Sequence, residues 1–158
     1  MEMKKTFFLV LALVLAWNFS AQALETTLID TRNEILKTSE ELKTYFTTTR
    51  DPVLLNSLWD SSIMAVSQLD AYFSMLGIFN TIKKENLDQA AFTYLIKWLN
   101  QLKDSTASNI KSLSSIKKTT DARSKAYVLK LKDIFSNLES RIDKELQSVT
   151  KYSESIKQ

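Results

Sequence analysis

The chain has no cysteine and no histidine, one glycine (Gly77) and one proline (Pro52). Without cysteine there is no disulfide and no leader cysteine to carry a lipid, so stability must come from packing alone. Without histidine the Ser-His-Asp triad, the Cys-His pair, the usual zinc sites and a histidine-ligated haem are excluded, as is the di-iron bundle that needs Glu-x-x-His twice. A single glycine cannot build a glycine-rich cradle for phosphate. A β-rich fold would draw on tight Gly and Pro turns that are missing here. Few turns mean few, long elements, and no cofactor or metal is expected.

What remains is ordinary globular material: 44% apolar and 25% charged residues over 158 positions, enough for one domain with a real core. The formal net charge is +3. Such a balance implies no nucleic-acid partner.

The amino terminus has the three parts of a secretory signal: Lys4 and Lys5, an apolar run from Phe7 to Phe19, then Ala21-Gln22-Ala23 as an A-x-A site. The apolar run falls short of the roughly 20 residues that a spanning helix needs. Residues 1–23 are therefore expected to be a signal peptide helix, cleaved after Ala23, and 24–158 a single exported domain, periplasmic or extracellular. None of Asn33, Asn56, Asn80, Asn86, Asn100, Asn109 or Asn137 is a glycosylation acceptor, which leans toward a bacterial source.

Apolar spacing predicts four helices, over about 25–49, 52–79, 87–118 and 121–157. The first places Leu28, Thr31, Ile35, Thr38, Leu42 and Tyr45 on one face. Asp51-Pro52 is a start signal, with Asp as cap and Pro at the first helical position. The second helix carries Leu55, Leu58, Trp59, Ser62, Val66, Leu69, Phe73, Leu76 and Phe79, with Gly77 read as its fraying end. In the third, Asn86 and Gln89 form a capping-box-like pair, and the Ser/Thr-rich stretch from Asp104 to Ser115 allows a bend. The fourth repeats Val128, Leu131, Phe135, Leu138, Ile142, Val149, Tyr152 and Ile156 on a heptad from which only Glu145 departs. Leu146 is expected to turn inward there, leaving Glu145 at the rim, because lone acids are rarely buried. The fold class that follows is all-α: an antiparallel up-down four-helix bundle with coiled-coil-like packing. The length of the fourth helix leaves an overhanging stripe that frays or meets a second copy of the chain.

Two groups of residues are candidates for binding. Trp59, Phe73, Phe79, Phe92 and Trp98 concentrate aromatic surface on the second and third helices, a groove for a partner or apolar ligand if it is not simply core. Arg50, Lys111, Lys117, Lys118, Arg123 and Lys125, continued by Lys130 and Lys132, gather at one end of such a bundle and suit an anionic envelope surface, if they do more than match helix dipoles. Catalytic patterns are thin. Ser114-x-x-Lys117 and Ser115-x-x-Lys118 match a serine-lysine spacing, in a stretch so rich in both residues that the match is nearly unavoidable. Glu145 is the one acid whose place in the pattern hints at burial, which acid-base catalysis by carboxylates would need.

The expectation is a non-enzymatic exported bundle that acts by binding another envelope or secreted protein. The first alternative is a carrier or chaperone-like protein holding an apolar small molecule between the second and third helices. The second is an enzyme using carboxylates or a Ser-Lys pair.

Overall fold

The computed structural model describes residues 27–81, 89–116, 118–119 and 121–155. The expected leader and its cleavage point, the Asn86 cap, Lys117 and Ile156 lie outside the described residues. Among those described the chain is all-helical, with no strand: α1 covers residues 27–45, α2 Pro52–Thr81, α3 Gln89–Ser115 and α4 Ala122–Ser155.

Local chemistry sets most of the visible boundaries. Thr48 closes α1 by donating its N–H (3.0 Å) and its hydroxyl (3.2 Å) to the Tyr45 carbonyl. Thr49 Oγ1 then accepts the Asp51 N–H at 2.9 Å, and the Asp51 carbonyl accepts Leu55 N–H at 3.0 Å as the first bond of α2. Pro52 occupies the first helical position, where its missing N–H costs nothing. Gly77 does not end this helix. The chain stays helical to Thr81 with no positive φ, so the expected stop at 79 moves outward. α3 runs unbroken to Ser115, where Ile116 N–H reaches the Leu113 carbonyl (3.3 Å) in a tightened last turn. Asp121 caps α4, accepting the Ser124 N–H at 2.7 Å and its hydroxyl at 3.0 Å.

Cross-helix contacts fix the directions. Arg32 of α1 meets Asp70 of α2, while Glu41 and Tyr45 of α1 meet Lys130 and Tyr127 of α4. Phe92 and Lys103 of α3 meet Tyr152 and Asp143 of α4, and Phe79 of α2 meets Phe92. Leu42 of α1 also shares an opening with Leu55 of α2. As one number rises the other falls, so α1 is antiparallel to α2 and α4, and α3 is antiparallel to α4.

The core threads all four helices: Leu28, Ile35 and Leu42 from α1, Leu55, Leu69 and Tyr72 from α2, Leu99 and Leu102 from α3, Leu131, Phe135, Leu138 and Ile142 from α4. Each fully buried large side chain contributes about 1.5–3 kcal/mol relative to exposure. Small hydroxyl residues fill the inward positions between them. Thr31, Thr38, Ser62 and Thr106 are buried and donate to the carbonyl four residues back at 2.8–3.0 Å, so each of these hydroxyls is satisfied within its own helix. Val149 is buried and Tyr152 lies on the Phe92 ring, so the late stripe of α4 is occupied within the chain as far as Tyr152.

Candidate functional site

The aromatic residues of α2 and α3 belong mostly to the interior. Phe92 is 4% exposed, with the Phe79 ring 6.0 Å away and the Tyr152 ring 5.5 Å away, both edge to face. Phe73, Phe79 and Trp98 are half-buried and packed on the core. Where the α2 pattern placed Phe73 inward, the fully buried aromatic is its neighbour Tyr72. Its phenol explains the choice: it donates to Glu145 Oε1 of α4 at 2.6 Å. Glu145 is therefore a core residue, 6% exposed, and half-buried Leu146 does not displace it inward. Local spacing cannot place this acid, because the partner that makes it tolerable inside sits 73 positions away on another helix.

Trp59 is the aromatic candidate that reaches a surface opening. It lines a notch of about 230 Å³ between α1 and α2 together with Leu42, Phe46 and Leu55, with Lys43 and Asn56 at the same opening. Phe46 is 43% exposed, one residue past the end of α1, on the outward side of the face that buries Leu42 and Tyr45. The apolar stripe could not identify it. Its signal is the opposite one, an aromatic residue off the stripe.

The cationic residues do collect where α1 ends, α2 starts, α3 ends and α4 starts. Arg50, Lys111, Lys118 and Lys125 are exposed there. Arg123 differs from the rest, because its guanidinium lies 4.2 Å from the centre of the Tyr45 ring and 6.0 Å from that of Tyr127. Lys130 is bound to Glu41 at 2.8 Å. Burial first, and then a hydrogen bond to Asp121, hold the Tyr45 phenol above its ordinary pKa. The Asp121 carboxyl is held below its ordinary value, chiefly by the Ser124 N–H. Between these ends opens a pocket of about 490 Å³. Leu113, Ile116, Val128 and Leu129 give it apolar walls, and Lys118, Lys125 and Lys132 line it as well.

The arrangement around the catalytic candidates is plain. Ser114 and Ser115 are exposed, and Ser115 Oγ donates to the Ser112 carbonyl at 2.7 Å. Glu145 bonds a phenol in the interior. Among the described residues no three acidic side chains gather as a metal site would require. No protein-family model matches the chain, and no curated protein or solved structure is significantly similar to it.

Proposed function

We propose that this is an exported, non-enzymatic binding protein whose leader, residues 1–23, is removed after Ala23. The mature domain, an antiparallel up-down bundle with coiled-coil-like packing, engages another envelope or secreted protein in the periplasm or outside the cell. The observation that supports this is the notch holding Phe46 and Trp59. Two large aromatic side chains, one just past the end of α1 and one about two turns into α2, have the character of interface anchors: much apolar area and little rotamer freedom to lose. At about 230 Å³ the notch is smaller than the roughly 300 Å³ at which small-molecule pockets begin. It suits an apolar side chain from a partner, with Lys43 placed to meet an acidic neighbour. The carrier alternative finds less support, since Phe92 is buried against the rings of Phe79 and Tyr152.

The test is a photo-crosslinking amino acid at position 46 in the source cells, with the same group at exposed Ser140 of α4 as control. One partner protein is expected from position 46 and not from 140. With that partner purified, Trp59→Ala should weaken binding by about tenfold or more, as a central anchor does. Equal crosslinking at both positions, or an unchanged Kd for Trp59→Ala, would reject the proposal. The exported form should begin at Leu24 by intact mass.

A further inference from the structure

We infer that the pocket between the end of α3 and the start of α4 binds a small anionic amphiphile, an alkyl chain ending in a phosphate or carboxylate. The chain lies on the apolar walls and the head group meets the lysines.

Two properties of the pocket lead there. Leu113 and Val128 belong to the core, yet Leu129 beside them is 53% exposed and keeps apolar surface in water at the pocket wall. Covering such surface is favourable at about 25 cal/mol per Å². The charge comes from Lys118 in the link between the helices and from Lys125 and Lys132, which stand two turns apart on one face of α4. None of the three has an ion-pair partner among the described residues, whereas Lys103 and Lys130 are held by Asp143 at 2.6 Å and Glu41 at 2.8 Å. Asp121, the nearby acid, is already engaged by Ser124. It also caps the amino end of α4, so the lysines rather than the helix end supply the attraction. Three cations lining one opening favour an anion there. The Ser114 and Thr119 residues on the lining add hydroxyl donors. A volume of about 490 Å³ falls within the roughly 300–1,000 Å³ of small-molecule sites, in contrast to the notch between α1 and α2.

The experiment titrates the full isotope-labelled chain with butyl, hexyl and octyl phosphate below their micelle concentrations, beside inorganic phosphate and neutral octyl glucoside, following amide shifts. Saturable one-to-one shifts centred on residues 113–132 are expected, with affinity rising roughly fourfold per methylene until the walls are covered. Each of Lys118→Gln, Lys125→Gln and Lys132→Gln, all surface changes, should weaken octyl phosphate by about two- to fivefold and less so at high salt. Leu129→Ser should weaken octyl phosphate and leave inorganic phosphate unchanged. Competition separates the sources of the head group: vesicles of anionic phospholipid displaced by octyl phosphate mark a lipid ligand, and octyl phosphate binding without vesicle binding marks a soluble one. Vesicle binding that octyl phosphate does not displace overturns the proposal. Equal affinity for inorganic and octyl phosphate, or for octyl glucoside and octyl phosphate, overturns it as well, as do shifts indifferent to all three lysine changes.

Discussion

Replacing Tyr72 by Phe removes one oxygen from the interior and leaves its volume nearly unchanged. That oxygen is the donor in a 2.6 Å bond to Glu145 Oε1, and both side chains are almost wholly out of water, at 0% and 6% exposure. Removing one partner of a buried hydrogen bond costs about 1–3 kcal/mol, and the variant keeps the acid while losing the donor. Urea unfolding of Tyr72→Phe should therefore show a loss of that size at unchanged m, or a melting temperature lower by about 5–10 °C for a domain of this length. Glu145→Leu alone should lose about 1–3 kcal/mol, because the buried phenol then loses the carboxyl oxygen it donates to. The double variant Tyr72→Phe/Glu145→Leu removes both polar partners and should lie within about 1 kcal/mol of the parent, so the cycle yields a coupling energy above about 1 kcal/mol. A Tyr72→Phe loss below about 0.5 kcal/mol, or single effects that simply add, would refute the assignment of this pair as a coupled element of the core.

Gly77→Ala should stabilise the protein by about 0.5–1 kcal/mol in the same urea assay, because Gly77 is helical, has no positive φ and has nothing within 4 Å of an added Cβ. Asp121→Asn keeps an acceptor for Ser124 but removes the charge. The Asp121 pKa is depressed by the fold, so its contribution is present above the unfolded value of about 3.9 and is lost as pH falls through the lower folded value. Thermal melts should separate the two proteins at pH 7 and converge as the medium is acidified below that window. Arg141→Ala should speed hydrogen exchange through residues 28–35 and cost about 1–2 kcal/mol, since the half-buried guanidinium ties α4 to the Thr27 carbonyl and the Thr31 hydroxyl of α1.

Periodicity made the helices legible because each inward face is written locally. Thr31, Thr38 and Ser62 are legible as inward positions although polar, since a helix supplies the acceptor for its own hydroxyls. Asp51-Pro52 was legible for the same reason: cap and first turn are neighbours in sequence. Choices that depend on a second helix were not. Whether Tyr72 or Phe73 goes inward is decided by Glu145, and whether Glu145 goes inward is decided by Tyr72. Gly77 misled because low helix preference is a weak effect, outweighed when the turns on both sides are already helical. At the surface, composition showed the crowd of lysines but not the sorting within it. Arg123 covers tyrosines, Lys130 meets Glu41, and Lys118, Lys125 and Lys132 surround the pocket.

The directions of α1 and α4 have a practical corollary for handling the protein. Arg141 stands beside Thr27, so the first described turn of α1 lies some 20 residues along α4 from the cap at Asp121, about 30 Å from the end that carries both openings. Ser155 lies farther still along the same helix. A tag joined directly at residue 27 or at Ser155 thus sits at the far pole, and a chip-bound or bead-bound chain held there offers its lysine pocket and its aromatic notch outward. For circular permutation, a linker from Ser155 back to residue 27 would have to cover the 14 residues of α4 beyond Arg141, about 21 Å, and new ends cut at Thr47-Thr48-Thr49 would leave every described helix whole.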